Sequence, residues 1–282
     1  MSSLRETKDH IASVRGTLKI TSAMKLVASA KLRKAQKAIE ALRPYEEELS
    51  ATFSAMVAAS SQDPAASRPS QGKVAVVAIA SNSSLCGGFN ANVVRAASEV
   101  ISECGGDVEV FAVGRKVSDA MKRAGRPSPG DYSEIVAHPS YAVSSVFARR
   151  LAEGYEAGEF SKVVLVYSHF VSVSRQEVKV ETWLPFSLPQ DRPRESMSPD
   201  DYLVEPSAET LVREMLPQVI LLKFHAAVLD SLASEHAARM IAMQTATDNA
   251  NDMLTQLTLE YNKARQQKIT SEILDIIGGS VR

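Results

Sequence analysis

The chain has 282 residues, with 32 Lys and Arg against 33 Asp and Glu, and 45% of its residues are hydrophobic. A net charge of −1 excludes a global electrostatic role on nucleic acid or a membrane surface and leaves room only for a local patch. Two cysteines, Cys86 and Cys104, exclude a disulfide scaffold, and no apolar run is read as approaching the roughly 18 residues of a membrane span.

The N-terminal stretch reads as one long helix. The opening residues lack the apolar core of a signal peptide, and Glu6 and Asp9 argue against a transit peptide. Residues 1–43 contain a single glycine, Gly16, and no proline. An apolar seam steps through Leu32, Ala35, Ile39, Leu42, Glu46, Leu49, Phe53 and Met56, the spacing of a coiled coil. Ile11, Val14 and Leu18 are read as continuing it after a phase shift, as a stutter would produce. Pro44 is expected to kink or bound the helix. Ten basic residues face three acids over 1–43, with Arg15, Lys19, Lys25, Lys31, Arg33, Lys34 and Lys37 along the helix. A solvated coiled-coil face is the ordinary reading; contact with an acidic protein surface or nucleic acid is the functional one. No aromatic interleaves residues 8–37, which weighs against single-stranded nucleic acid.

The middle of the chain reads as α/β. Residues 60–72 are loop-like, and Lys73 to Ala80 is a continuous apolar run, as in a strand buried on both faces. A helix over 90–104, a strand over 108–113, helices over 116–124 and 144–155, and a strand over 162–167 follow. Residues 178–184 alternate as an edge strand does, and 186–200 again read as loop. Strands alternating with helices imply a small, mostly parallel sheet. Between the first strand and its helix lies Ser83-Ser84-Leu85-Cys86-Gly87-Gly88-Phe89-Asn90. Phe-Asn stands where a phosphate loop needs Lys-Ser/Thr, GxGxxG is absent, and no His is near Cys86 in sequence, so the segment reads as a structural turn.

Residues 218–277 contain neither Gly nor Pro, far beyond the ordinary helix of about 11–12 residues. Steps of four and three give Leu229, Ala233, His236, Met240, Met243, Thr247, Ala250, Leu254, Leu257, Tyr261 and Ala264. Pro217 is expected to kink or bound this helix. Two seams at opposite ends of one chain pair most simply with each other, antiparallel. That pairing leaves about 18 C-terminal residues unpaired, an overhang of roughly 27 Å at 1.5 Å per residue. The overhang carries Ile269, Ile273, Leu274, Ile276 and Ile277, so it must fold back or be surrounded by a partner. None of the five histidines has metal-ligand spacing, and no general acid–base pair is evident.

Two stretches resemble the gamma-subunit family of F-type ATP synthases. Residues 11–28, Ile-Ala-Ser-Val-Arg-Gly-Thr-Leu-Lys-Ile-Thr-Ser-Ala-Met-Lys-Leu-Val-Ala, with Arg43-Pro44-Tyr45, resemble its N-terminal helix. Residues 234–249, Ser-Glu-His-Ala-Ala-Arg-Met-Ile-Ala-Met-Gln-Thr-Ala-Thr-Asp-Asn, resemble its signature helix, and 261–273 its continuation. Leu85 to Asn90 is similar to the family's turn, and Tyr202-Leu203-Val204-Glu205-Pro206 to its foot segment. Asn82-Ser83-Ser84 departs from the family's usual acid, basic residue and glycine.

The resemblance implies a long antiparallel coiled coil, 1–58 with 208–282, and a central Rossmann-like α/β domain over 73–205. It implies a rotor shaft inside a ring of alternating alpha and beta subunits, with epsilon and the membrane c-ring at the foot. It implies contacts with beta through Met24, Lys25, Arg239, Gln266 and Thr270. Contacts with the c-ring and epsilon would run through Tyr202, Leu203, Val204 and Glu205. Catalysis would belong to beta, so no catalytic, cofactor-binding or metal-binding residue is expected in this chain. Its place would be peripheral, on the cytoplasmic side of a bacterial inner membrane, reached only through the complex and with no nucleic-acid partner. The competing readings are a basic coiled-coil protein that binds nucleic acid, and a cysteine- or nucleotide-dependent enzyme built on the α/β middle.

Overall fold

The computed structural model describes residues 4–60, 72–187 and 204–279. Two very long helices flank a small sheet domain. The first, α1, spans Leu4–Ala59. Then come β1 (Lys73–Ile79), α2 (Phe89–Cys104), β2 (Val108–Val113), α3 (Arg115–Arg123), α4 (Ser133–Ala137), α5 (Tyr141–Glu156), β3 (Phe160–Phe170) and β4 (Gln176–Leu184). The last helix, α6, spans Ala208–Gly279. The short α4 lies in a Pro/Gly-rich stretch that sequence reading left without an element. Five residues are too few to carry a helical period.

Residues 30–238 form one compact unit. Its open sheet has strand order β2-β1-β3-β4, with β1 parallel to β2 and β3, and β4 antiparallel to β3. Alternate residues of the central strands face opposite sides. Ala75, Val77, Ile79, Phe111, Val163, Leu165 and Trp183 pack with α5, with Phe53 and Met56 of α1, and with Val219, Phe224 and Val228 of α6. Val76, Ala78, Val110, Ala112, Val164 and Val166 pack with Phe89, Val93, Ala97 and Ile101 of α2 and Val117 and Met121 of α3. Both faces are covered, which is why β1 and β3 read as unbroken apolar runs.

Residues 1–29 and 239–282 form the second unit, an antiparallel helix pair. The Thr247 hydroxyl donates to that of Thr21, 2.9 Å apart. Thr7, Val14, Thr21 and Ala28 are buried on α1, and Met243 and Ala250 on α6.

One expectation is corrected along α1, and of the two readings of the prolines only a kink is left open. One line of shielded positions runs through Leu4, Thr7, Ile11, Val14, Leu18, Thr21, Lys25, Ala28 and Leu32, in unbroken steps of three and four. There is no stutter. The period is carried through Thr7, Thr21 and Lys25, which an apolar-only count passes over. Pro44 does not end α1, nor does Pro217 end α6. Each proline ring is exposed. Buried neighbours such as Val212, Val219 and Ile220 offset the roughly 3 kcal/mol that an interior proline costs.

One 18-residue window in α6 is also apolar enough, by length and composition, to cross a membrane, contrary to the sequence reading; 56% of it is buried inside the chain. A helix that packs on a sheet needs the same composition as one facing lipid.

Candidate functional site

The β1–α2 turn is closed on itself. Asn90 at the start of α2 folds its amide back, and Oδ1 accepts from the Ser81 backbone N–H and hydroxyl, both at 3.0 Å. Its Nδ2 donates to the Ser83 carbonyl at 3.3 Å and the Cys86 sulfur at 3.1 Å. Gly87 takes φ +58°, which glycine adopts without steric cost. Leu85 takes φ +65° and is exposed. Cys86 is buried. Asn82, in the departing segment, joins three elements: Oδ1 accepts from the Arg115 N–H that opens α3, 3.0 Å, and Nδ2 donates to the Ser133 carbonyl that opens α4, 2.9 Å. The turn's polar atoms are engaged in holding β1, α3 and α4 together.

The residues assigned to beta contacts fall in two places. Met24 and Lys25 are half-buried, one turn from Thr21. Arg239 is only 8% exposed and packs within its own chain. Gln266 and Thr270 are exposed, and the Thr270 hydroxyl donates to the Gln266 carbonyl at 3.0 Å. Arg239 and Gln266 lie roughly 40 Å apart along the helix at 1.5 Å per residue. Gln266 and Thr270 therefore form one surface, and Arg239 belongs to another.

In the segment that the resemblance assigns to a foot, Val204 is half-buried against the core that holds Phe53 and Trp183, and Glu205 is exposed. Tyr202 and Leu203 lie outside the described residues. Ser207 caps α6, its hydroxyl accepting from the Thr210 N–H at 3.3 Å.

The overhang has a sharp edge. Leu254, Leu257, Tyr261 and Ala264 are half-buried, and from Arg265 onward every helical side chain described is exposed. Leu274 is 62% and Ile276 72% exposed.

A charged cluster that sequence reading did not find lies beside the sheet. Lys223 of α6 pairs with Glu181 of β4 at 2.5 Å, and Tyr167 of β3 donates to the same carboxylate at 3.2 Å. Burial and the Glu181 charge push the Tyr167 phenol well above its usual range. Burial pushes the Glu46 carboxyl up, against the opposing pull of Lys223. His169 Nδ1 and Asp230 Oδ2 lie 2.5 Å apart. His225 is held below its ordinary value by burial, its Nδ1 2.8 Å from the Ser144 hydroxyl. The available signal was Glu46 at a seam position and Lys223 amid an apolar run.

The family model described as ATP synthase matches residues 3–281. A protein of Phocaeicola vulgatus named ATP synthase gamma chain is 46% identical over 288 residues, covering all of both chains. The ATP synthase gamma chain of Bacteroides thetaiotaomicron is 44% identical over 298 residues, with the same coverage. The fold is similar to that of a chain in the Euglena gracilis mitochondrial ATP synthase, in its OSCP, F1 and c-ring structure. There the TM-score is 0.66 at 22% identity, over 99% of this chain and 93% of that one.

Proposed function

This chain belongs to the ATP synthase gamma chain family, and from that membership we propose how it acts: as the central rotor shaft of an F-type ATP synthase, coupling proton flow through the membrane c-ring to ATP synthesis and hydrolysis at the beta subunits by turning inside the alpha/beta ring. The observation that carries this reading is the bare apolar end of α6. Ile269, Ile273, Leu274, Ile276 and Ile277 are each 46% exposed or more. An apolar surface of that extent in water calls for a partner, and the ring supplies an apolar sleeve.

The chain is the non-catalytic subunit in this reading. It changes rate by binding the three catalytic sites unequally, so that each rotor angle favours one conformation at each site. Contacts that select an angle must also release, which suits exposed polar groups worth about 0–1 kcal/mol each. Gln266 and Thr270 fit that requirement, as do the basic residues of α1 facing acidic loops of beta. Half-buried Met24 and Lys25 add contacts with beta beside them. Buried Arg239 contributes by shaping the helix pair that beta meets. We assign 1–58 and 208–282 to the shaft and 73–205 to the foot. Val204 and Glu205, with Tyr202 and Leu203, meet epsilon and the c-ring. The complex places the chain at the cytoplasmic side of a bacterial inner membrane, as a peripheral subunit.

The test is purification and coupling. Tagged chain should co-purify with three large nucleotide-binding subunits and ATPase activity. Cysteines at 204 and 205 should cross-link to c or epsilon; cross-links only to alpha or beta would misplace the foot. Gln266→Ala should assemble and lower ATP-driven proton pumping relative to hydrolysis in membrane vesicles.

A further inference from the structure

Within residues 30–238, α6 and α1 are fastened to the α/β layers by different physics. Over four turns, α6 sends a line of directional bonds into them. The Ile220 carbonyl accepts from the Trp183 indole N–H at 3.1 Å. Lys223 pairs with Glu181 at 2.5 Å. His225 meets the Ser144 hydroxyl at 2.8 Å. Asp230 holds both His169 and the Phe170 N–H, the latter at 2.8 Å. Ser231 donates to the Ile79 carbonyl at 3.4 Å and Ser234 to the Ser168 carbonyl at 2.9 Å. Their partners lie on β1, β3, β4 and α5. Across the same unit, α1 meets the core through the apolar side chains Phe53, Ala55 and Met56, with Glu46 adding a non-directional attraction to Lys223.

Apolar contact is non-directional and tolerates small sliding. Hydrogen bonds weaken steeply as distance and angle depart from ideal. A twist applied to the sheet therefore meets a stiff response from α6 and a softer one from α1. Resting on the rotor reading above, we propose that α6 is the helix through which the α/β unit delivers torque. Lys223, Asp230 and Ser234 are the positioning residues that fix its rotational angle on the sheet.

The experiment uses the assembled complex in membrane vesicles, with proton pumping and ATP hydrolysis measured while the opposing proton gradient builds. Asp230→Asn and Ser234→Ala should assemble and hydrolyse ATP within twofold of wild type at no gradient. Their pumping-to-hydrolysis ratio should fall at least twofold as the gradient rises. Glu181→Lys and Lys223→Glu should each do the same, and the double exchange should recover the ratio. Ser54→Ala, whose hydroxyl bonds within α1 to the Ser50 carbonyl at 2.7 Å, should match wild type throughout. A ratio that stays at the wild-type value in Asp230→Asn and Ser234→Ala overturns the proposal. So does a loss equal at all gradients that the double exchange fails to recover, because that is the mark of a merely structural role. A wild-type complex that does not pump would instead sink the rotor reading itself, and the proposal with it.

Discussion

The helix pair of 1–29 and 239–282 and the sheet unit of 30–238 solve the same packing problem with different materials. In the pair, the buried positions are mostly small or polar, Thr7, Val14, Thr21, Ala28, Arg239 and Ala250, with Met243 a long apolar exception. In the sheet unit they include Trp183, Phe53, Phe111 and Phe224, each under 3% exposed. Ring–ring contacts among the described residues all fall in 30–238, such as Phe111 edge-on to Phe160 at 5.7 Å and Trp183 against Phe224 at 5.6 Å. Small seam residues let two helices approach closely but bury little area, so each position contributes little. Large residues covered on all sides contribute about 1.5–3 kcal/mol each. Meanwhile Ile20, Leu26 and Val27 on α1 stand more than half exposed. The pair draws little from each buried position, whereas the sheet unit is held by large rings buried on all sides.

That contrast predicts graded sensitivities. The largest belongs to Trp183→Ala, which empties a fully buried site and removes the indole's hydrogen bond to the Ile220 carbonyl; chemical denaturation should show a loss of about 4–5 kcal/mol. Gly114→Ala comes next. Gly114 has φ +108°, and a Cβ there would overlap the Ala80 carbonyl oxygen. Strain of that kind costs about 1–3 kcal/mol before the overlap is relieved. In the helix pair, Val14→Ala should cost only about 1–1.5 kcal/mol, from the apolar surface lost. An equal loss at Val14 and Trp183 would erase the contrast.

Two titrations sharpen it, both from the sheet unit. His225 sits below the ordinary 6.5 in the fold. As pH falls through 6.5 the unfolded chain takes up the proton first, so stability is lost on acidification and is complete above that value. Glu46 is displaced the other way, above 4.5. As pH rises past 4.5 the unfolded chain ionises first, so the fold loses stability until its own carboxyl ionises. Urea denaturation from pH 4 to 8 should show His225→Gln flattening the first slope and Glu46→Gln the second. A wild-type slope surviving in His225→Gln would assign the acid loss to another group. The smallest effect belongs to Thr270→Ala on the exposed helix end, under about 0.5 kcal/mol in stability. A larger loss would mean that end is packed rather than bare.

What the sequence determined by itself was whatever depends on period and punctuation. The 60 residues without Gly or Pro specified α6, the apolar runs specified β1 and β3, and the 4-3 steps to Ala264 located where shielding ends. Local chemistry carries these signals, because a helix or a doubly covered strand needs the same residue types wherever it packs. Tertiary structure decided the rest. It carried the α1 seam through Thr21 and Lys25, because a position is buried by its neighbour and not by its own polarity. It ran both long helices through their prolines, because packing on either side outweighed a missing hydrogen bond. It buried Arg239 to 8% exposure within its own chain, which its charge alone does not foretell. It brought Lys223 to Glu181 and Asp230 to His169, pairs separated by 42 and 61 residues. Such pairs leave no periodic trace in a single sequence, since only the fold's closure makes them neighbours.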